Sequence, residues 1–443
     1  MKVLQVLNHF LPRQLAGTEI YVEVLSKGLL NKGLDIKVIT PNYGESDNNS
    51  YEVEGIYVTQ YAEPSKVDRD LKMGFRSADG LHSFKNILIS ENPDIVHFHE
   101  LAGSNGISIH HVKAAKELGF KVVFTFHLSK YTCSTGNLLY KEKEFCDGKI
   151  HINKCAKCYL HSKSPAIFRF PIYLGGSVLD FLNLNTLKTK TKLGTALGTH
   201  FLIKKNQTHF NHLVKYSDKL VTVSEWFKDV LQCNGVSENQ IEFIPQALPF
   251  FENNFKHLSK EIIREKPIRL LFIGRVSHFK GIHLLIEALS SFESNDFELT
   301  IYGSTDDESY ENKLKIQSAK MKNVKWMGVL PHSETLATMK KFDIFCLCST
   351  VSEMAPLVIQ ESFAANLPVL ASNVNGNKHL IKNDINGLLF DFNSISSLRH
   401  QLNRLLHEEG LVNELKSNIS TPMMFDPVVE NHLTLYRNLV DEN

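Results

Sequence analysis

The chain has 443 residues, 43% of them hydrophobic, which is enough for two or three domains with separate buried cores. Its 49 Lys and Arg residues balance its 48 Asp and Glu residues, so no global basic field favours a nucleic-acid partner. Residues 1–7 lead directly into a strand pattern without the apolar core of a signal peptide, and no window holds the roughly 18 uncharged apolar residues of a spanning helix. The sequence therefore predicts a cytoplasmic protein.

Apolar β-rich runs alternate with helical patterns along the chain, which is typical of parallel sheets built from βαβ units. Strands are predicted in the first half at Lys2–Phe10, Ile36–Thr40, Asp94–His99, Lys121–His127, Lys219–Ser224 and Ile241–Gln246. Strands are predicted in the second half at Arg269–Arg275, Glu298–Gly303, Val324–Met327, Asp343–Ser349, Pro368–Ser372 and Gly387–Phe390.

These patterns predict an α/β protein of two doubly wound domains that face each other across a cleft. The first domain would span residues 1–250, with an insertion at about 130–215. A polar stretch without clear period, 251–267, would be the linker to a second domain at 268–425. The last stretch, 426–443, has a helical pattern.

His127 ends a strand whose other residues are apolar, and strands of open α/β sheets deliver functional groups at this end. A hydrogen-bonded core histidine is the alternative. Glu19 has two interpretations as well: a residue of the acceptor side, or a carboxylate stabilised by the N-terminus of a helix.

Four cysteines, Cys133, Cys146, Cys155 and Cys158, cluster in the polar insertion that follows His127. One closely spaced pair and two distant thiols can form a tetrahedral structural zinc site, and reduced thiols are the alternative. The other three, Cys233, Cys346 and Cys348, are expected to be small buried hydrophobes.

The segment 159–215 holds eight Lys or Arg residues and a single acid, Asp180, with aromatic and aliphatic residues between them. Such a segment could rest on an anionic membrane leaflet or hold a lipid-diphosphate acceptor. Helices with a solvated basic face are the alternative.

In the second half, the strand around Leu270 runs into a loop with Arg275 and Lys280 and then into a helix. Ligands of open α/β sheets bind beyond the carboxyl ends of strands, where these two cations would suit a diphosphate. Either residue alone would more often be a surface charge.

Glu353 follows the apolar run at 343–348, and Glu361 lies eight positions later in a helix that Pro356 can open as its first residue. The amides of Leu357 and Val358 would then point out of the helix N-terminus, which suits a phosphate. The two carboxylates would reach sugar hydroxyls, so the motif predicts a donor-sugar site.

Taken in order, these motifs resemble the retaining nucleotide-sugar-dependent glycosyltransferases of the GT-B fold, namely glycosyltransferase family 4 of the "group 1" type. The likeness covers nearly the whole chain, and it implies that the C-terminal helix at 426–443 crosses back to the first domain. The matching pieces are Ala16-Gly-Thr-Glu19, Phe124-Thr-Phe-His127, Gly274-Arg275 with Lys280-Gly281, Asn323–Gly328, Glu353-Met-Ala-Pro-Leu-Val358, Glu361, Leu367-Pro-Val and Asn386–Phe390.

The resemblance implies residue roles. Arg275 and Lys280 would hold the donor pyrophosphate, Glu361 the ribose, Glu353 the transferred sugar, and His127 the reaction centre. His127, Glu353, Arg275 and Lys280 would form the catalytic set, with Glu19 on the acceptor side. The implied donor pocket further contains Gly17, Gly274, Gly303, Gly328, Ala355, Pro356, Leu357 and Val358.

Three positions depart from the family pattern. Ala16 stands for a glycine, and Asn366 stands for another at a position where asparagine tolerates the left-handed conformation. The third is the run 375–379, where the family usually has two glycines and a glutamate, and it bears on donor-sugar identity.

The sequence thus predicts a hexosyltransferase-type enzyme that moves a sugar from a UDP- or GDP-sugar to a glycan or lipid-linked acceptor with retention of configuration. Surface polysaccharide or lipopolysaccharide synthesis is the expected setting, at the inner face of the membrane if the basic segment binds lipid. No catalytic cofactor is expected, since the cations and amides can stabilise the leaving diphosphate. The alternatives are a nucleotide-sugar epimerase of the same fold and a catalytically silent nucleotide-sugar-binding protein.

Overall fold

The computed structural model describes residues 1–12, 17–248 and 267–441. Its strands are β1 Lys2–Val6, β2 Asp35–Tyr43, β3 Asn49–Val53, β4 Ile56–Glu63, β5 Ile95–Phe98, β6 Lys121–Phe126, β7 Leu139–Tyr140, β8 Glu144–Phe145, β9 Lys219–Thr222, β10 Ile241–Phe243, β11 Ile268–Ile273, β12 Phe297–Tyr302, β13 Val324–Gly328, β14 Ile344–Leu347, β15 Val369–Ser372 and β16 Gly387–Phe390.

The helices alternate with these strands, as the sequence pattern predicts. They are α1 Gly17–Asn31, α2 Arg69–Lys72, α3 Leu81–Glu91, α4 Ile109–Glu117, α5 Ile152–Lys163, α6 Ala166–Phe181, α7 Lys192–Leu197, α8 Thr199–Tyr216, α9 Glu225–Cys233, α10 Ile282–Leu289, α11 Glu308–Ser318, α12 Thr335–Met339, α13 Leu357–Ala364, α14 Asn377–Leu380, α15 Ile395–His407, α16 Leu411–Ser417 and α17 Asp426–Asp441.

The chain forms two compact units, Met1–Pro249 with Phe425–Asn443, and Phe250–Met424. The C-terminal helix α17 belongs to the first unit, where it packs against α1. The linker predicted at 251–267 lies almost wholly outside the described residues. Both units are α/β, so the predicted fold class of two Rossmann-like domains is confirmed.

The first unit holds a sheet in the order β10-β9-β6-β5-β1-β2-β4-β3, parallel except for β3. The hairpin β3–β4 was not among the predicted strands, because β3 is polar and exposed. Its turn signal is the pair Glu54-Gly55, which takes φ values of 52° and 77°. Positive φ at both central residues is the geometry of a tight hairpin turn.

The second unit holds a parallel sheet in the order β13-β12-β11-β14-β15-β16. Apolar residues on its two faces pack into separate clusters, one around Leu270 and Phe272 and the other around Leu271 and Phe345. A strand buried on both faces explains why its sequence is a continuous apolar run rather than an alternating one. All six strands predicted for this half are confirmed.

Among the described helices, none combines the length and the apolar character needed to cross a bilayer.

Candidate active site

The strand order of the second unit reverses between the neighbours β11 and β14. The loop after β11 carries Arg275 and Lys280, and the loop after β14 carries Glu353, so both loops leave the same edge of the sheet. Such a reversal point is where open α/β sheets bind ligands. The structure thus brings together the cationic and acidic motifs that the sequence separates by about 75 positions.

Three of the predicted donor-site glycines lie side by side at this edge. The Gly274 amide donates to the Tyr302 carbonyl at 3.0 Å, and the Gly303 amide donates to the Gly328 carbonyl at 2.7 Å. A Cβ on Gly303 would collide with the Gly274 carbonyl oxygen. The ends of β11, β12 and β13 can therefore lie this close only with glycine at position 303.

Lys280 and Glu353 form an ion pair at the reversal point. The Lys280 Nζ lies 2.6 Å from Glu353 Oε1, and the two side chains are 28% and 15% exposed. The Ser349 hydroxyl donates to the same Oε1 at 2.6 Å. Gly281 follows with φ 68°, and a Cβ there would collide with the Cys348 carbonyl. The glycine thus lets the Lys280 loop lie directly on the end of β14.

Helix α13 begins beside this pair, one residue later than predicted. Pro356 has φ −68° and ψ 113°, so it is the extended residue before the helix rather than its first residue. Leu357 and Val358 are therefore the first two helical residues, and their amides belong to the group that an α-helix leaves without internal partners. After the helix, Asn366 takes φ 54°, which confirms the left-handed conformation expected for it.

Glu361 lies further along α13 and is paired with a residue that the sequence did not single out. Its Oε1 is 2.9 Å from His332 Nε2, with side-chain exposures of 13% for Glu361 and 48% for His332. His332 lies in the loop after β13, which ends at the same edge of the sheet. Nothing in the sequence near position 332 marks this contact.

Arg275 is the most exposed of the predicted phosphate ligands. Its guanidinium forms an ion pair at 3.2 Å with Asp306, and the two side chains are 64% and 82% exposed. The neighbouring Asp307 accepts a hydrogen bond from the Tyr310 amide at 3.0 Å and caps α11. Asp306 is thus an exposed partner of Arg275, and Asp307 is the N-terminal cap of α11. An exposed pair of this kind is weak, so Arg275 can exchange Asp306 for a phosphate.

The loop 375–379, which departs from the family pattern, supports Glu353 through the main chain. The Glu353 amide donates to the Asn375 carbonyl at 2.9 Å. Gly376 has φ 87°, and a Cβ there would collide with the Glu353 carbonyl. Asn377 is fully buried and donates to the Ser372 carbonyl at 3.0 Å. The altered residues thus position the Glu353 backbone.

His127 follows β6 in the first unit and contacts another histidine. Its Nε2 lies 3.1 Å from His99 Nδ1, and His99 Nε2 lies 2.6 Å from Gln5 Oε1. Burial lowers the pKa of His127 to about 3 and the pKa of His99 well below its usual value, so both rings are neutral near pH 7.

The contacts of His99 determine which nitrogen of His127 carries the proton. Since Gln5 Oε1 can only accept, His99 donates from Nε2 and accepts at Nδ1. His127 then donates from Nε2, and its Nδ1 is left as an acceptor. Among the described residues Nδ1 has no hydrogen-bond partner. His127 is therefore a half-buried neutral base rather than a cation.

The His127–His99 contact is one end of a buried polar network that the sequence did not predict. Tyr436 on α17 bonds His97 Nδ1 at 2.7 Å, and His97 Nε2 bonds Thr125 at 2.7 Å. His97 lies on β5 and His99 directly follows the strand two positions later, a spacing that puts both side chains on the same face of the sheet. That spacing was the available signal, although nothing in the sequence indicates that Tyr436 joins them.

Gly17 and Glu19 lie in the first turn of α1, and residues 13–16 before them, including Ala16, lie outside the described residues. Glu19 is 2% exposed, so it is not a solvated surface charge. A buried carboxylate at a helix N-terminus fits the dipole interpretation, and the acceptor-side interpretation stays a prediction.

The four clustered cysteines line a common small cavity and are free thiols. Burial raises the pKa of the Cys146, Cys155 and Cys158 thiols. Across residues 1–12, 17–248 and 267–441, no group of three or more His, Cys, Asp or Glu side chains is arranged to hold a metal ion, so zinc is not supported.

The other three cysteines differ in burial. Cys346 and Cys348 are buried, as expected, but Cys233 is only partly buried and bonds the Val230 carbonyl at 3.2 Å. The prediction of a buried hydrophobe is therefore wrong for Cys233.

The basic segment 159–215 contains the last turn of α5, all of α6 and α7, and nearly all of α8, and α6 packs on the other three helices. Helix α6 nevertheless turns an apolar stripe outward. Its members recur at helical spacing and are 52% to 89% exposed: Ile167, Phe170, Leu174, Val178 and Phe181. An apolar face of this kind is normally turned toward a core.

The chain is similar to known glycosyltransferases over its whole length. Residues 253–421 match the family model of the glycosyl transferases group 1, and residues 15–146 match that of Glycosyltransferase Family 4. An uncharacterized glycosyltransferase of Methanocaldococcus jannaschii is 22% identical over 99% of this chain and 98% of its own.

Two further similarities are informative. An N-acetylgalactosaminyltransferase of Campylobacter jejuni, named for a glycan acceptor on undecaprenol diphosphate, is 27% identical over 55% of this chain and 67% of its own. The crystal structure of the Anabaena protein HepE with UDP and glucose has a TM-score of 0.62 and 13% identity, with 100% of both chains covered.

Proposed function

Because this chain belongs to the group 1 glycosyltransferases and has the GT-B fold, we propose that it moves a hexose from a nucleotide-sugar donor to a glycan or lipid-linked acceptor with retention of anomeric configuration. The observation that carries the proposal is the Lys280–Glu353 pair at the reversal point of the second sheet, beside the N-terminus of α13. The setting would be surface polysaccharide synthesis, lipopolysaccharide included.

The donor would occupy the edge of the second sheet. Lys280, Arg275 and the first amides of α13 would bind the diphosphate, because a helix N-terminus and two cations attract negative charge. Glu353 would accept hydrogen bonds from the transferred sugar, and Glu361 from the ribose. UDP- and GDP-sugars are the candidates, and binding of UDP and glucose by the similar Anabaena protein favours UDP.

The chemical step breaks the bond between the anomeric carbon and the diphosphate. Positive charge develops on the sugar and negative charge on the departing phosphate. Groups already in position for that charge lower the barrier, and removing one such donor typically costs a factor of about 100 to 1,000 in rate. We assign this role to Lys280, Arg275 and the α13 amides. We assign His127 to the reaction centre, where Nδ1 of its neutral ring can accept a hydrogen bond from a hydroxyl.

The first unit would bring the acceptor from a membrane, and the stripe on α6 supports this. The five apolar residues of the stripe follow one face of a 16-residue helix. Lys163 precedes α6 in the sequence, Lys188 and Lys192 follow it, and none of the three has an ion-pair partner among the described residues. An apolar face flanked by lysines complements an anionic leaflet, such as the inner face of a membrane.

Product analysis tests the transfer. The purified protein is incubated with a UDP- or GDP-sugar and an undecaprenol-diphosphate-linked glycan, and the anomeric configuration of the product is read by proton NMR. We expect an elongated glycan with the donor's configuration, and a loss of about 100-fold or more in rate for Lys280→Ala. An inverted product would refute retention. A donor epimerised without acceptor would indicate an epimerase, and a donor that binds but never turns over would indicate a silent relative.

Vesicle sedimentation tests the membrane contact. The native protein should sediment with vesicles containing phosphatidylglycerol and stay free of phosphatidylcholine vesicles. Phe170→Asp with Phe181→Asp should abolish sedimentation, because charged groups replace the two exposed aromatic side chains of the stripe. Ile316→Asp is the matched control, since Ile316 is also an exposed hydrophobe, 75% exposed, but lies in the second unit. Equal sedimentation of all variants would contradict the contact.

A further inference from the structure

The first unit contains a cavity of about 460 Å³ that the donor site does not involve. Its wall is formed by α2 and the loop after it, the loops that follow β5 and β6, the start of α4, and the middle of α8. Lys130, in this wall, comes three residues after His127. The cavity therefore opens from the edge of the first sheet where His127 lies. Its volume is in the range of small-molecule sites.

The lining is cationic. Four Lys or Arg residues line the cavity, Lys72, Arg76, Lys130 and Lys205, and no Asp or Glu residue does so among the described residues. Arg76 is partly neutralised, since it pairs at 3.2 Å with both Asp68 and Asp79 outside the cavity. The three lysines have no ion-pair partner among the described residues. The cavity thus has an excess of positive charge.

Two of these lysines are held by main-chain carbonyls instead of carboxylates. Lys130 Nζ donates to the Leu101 carbonyl at 3.1 Å, and Lys205 Nζ donates to the Met73 carbonyl. Burial lowers the pKa of both ammonium groups, to about 8 for Lys205. Lys205 is partly buried and has no carboxylate partner among the described residues, so an anion in the cavity would stabilise its charged form. Lys130 is more exposed, and the nearby Glu100 raises its pKa against the effect of burial.

Uncharged hydrogen-bond donors also line the cavity. Ser108 caps α4 and lies in the wall with the first residue of that nine-residue helix, Ile109. Thr132 is 5% exposed, and its hydroxyl has no hydrogen-bond partner in the part of the chain that the structure describes. A buried hydroxyl without a partner is unfavourable, and a ligand oxygen in the adjoining cavity would supply one.

We propose that this cavity binds a phosphate or diphosphate group, and, resting on the proposed function, that this group belongs to the acceptor. Lys130 and Lys205 are the main ligands, with Lys72 at the rim. The cavity is larger than one phosphate requires, so part of the attached sugar or polyprenyl chain enters with it. The enzyme then selects acceptors by their charged anchor as well as by their terminal sugar.

Calorimetric titration with inorganic pyrophosphate tests the site itself. The titration uses the full chain carrying Lys280→Ala, which weakens the donor site and leaves its residual contribution the same in every variant compared. We expect Lys205→Gln in this background to weaken pyrophosphate binding by about tenfold or more, and Lys205→Arg to retain it. Lys215→Gln is the matched control, since Lys215 is an exposed lysine on the same helix, α8. Equal affinity for Lys205→Gln and Lys215→Gln would overturn the proposal.

Acceptor kinetics test the source of the anion. With Lys280 intact, Lys205→Gln should raise the KM for a diphosphate-linked acceptor about tenfold or more. It should leave the KM for the donor, and for the same glycan without diphosphate, unchanged. Pyrophosphate binding that needs Lys205 without any effect on acceptor KM would refute the acceptor as the source and indicate free phosphate. If no transfer occurs at all, the titration still decides whether the anion site exists.

Discussion

Replacing Glu353 by glutamine tests whether this side chain contributes to binding of the transferred sugar or of the diphosphate. The side chain keeps its size and can still accept from Ser349, but it loses the charge that pairs with Lys280 at 2.6 Å. If Glu353 binds the transferred sugar, the variant should bind a nucleotide sugar more weakly. The bare nucleoside diphosphate should be unaffected or bind more tightly, because Lys280 is then no longer held by a carboxylate.

The magnitude follows from the contact that is lost. A hydrogen bond to a charged group contributes about 1.5–3 kcal/mol, which corresponds to about a 10- to 150-fold loss of affinity for the nucleotide sugar. The Glu353 side chain is 15% exposed, so solvent screens only part of this effect. Ser349→Ala should give a smaller change in the same direction, since the hydroxyl holds Glu353 in place.

Isothermal titration of each variant with UDP, GDP and the corresponding nucleotide sugars measures these losses of affinity. Glu414→Gln is the control, because Glu414 is an exposed glutamate on α16 of the same unit. Equal weakening of nucleotide and nucleotide sugar in Glu353→Gln would refute the assigned role, since it would show that Glu353 acts through the phosphate site or the fold.

Three further perturbations test other parts of the structure. Gly376→Ala should lower the free energy of urea unfolding by about 1–3 kcal/mol and impair donor-sugar binding, because the new Cβ meets the Glu353 carbonyl. Gly410→Ala is the control: its φ of 79° is similar, but the space around it is open, so it should show only the smaller backbone cost. His127→Ala should reduce transfer and leave donor affinity unchanged; equal losses in both would place His127 in the structural network instead. Burial lowers the pKa of His432 to about 4, below its value of about 6.5 in the unfolded chain. As the pH falls, the unfolded state therefore takes up the proton first, and the folded state loses stability below about pH 6.5. Urea unfolding at pH 7 and pH 5 should show a loss about 2 kcal/mol smaller for His432→Leu than for the native protein, and equal losses would mean that His432 is not held neutral.

Much of the fold was predictable because its strands are buried on both faces. Continuous apolar runs such as 268–273 and 344–347 are strong local signals, and the loops after them follow from the direction of parallel strands. The hairpin β3–β4 was missed because its outer strand is polar and exposed, so burial left no pattern in the sequence.

The candidate site was predictable only in part. Lys280 and Glu353 could be identified from motifs, but their direct pairing depends on the strand order, in which β11 and β14 are neighbours. The contacts of His332 with Glu361 and of Tyr436 with His97 join distant segments, and no local pattern encodes them. The lysines that line the cavity of the first unit come from three separate segments, so their common cavity appears only in three dimensions.

We assign the edge of the second sheet to a nucleotide sugar that binds through Lys280. Thermal unfolding of the native protein and of Lys280→Ala, each with a panel of nucleoside diphosphates and nucleotide sugars, measures this binding. We expect one base and sugar to raise the melting temperature of the native protein and Lys280→Ala to lose this shift. A shift of the same size in both proteins would refute the assignment, because the donor would then bind without the residue placed at the centre of the site.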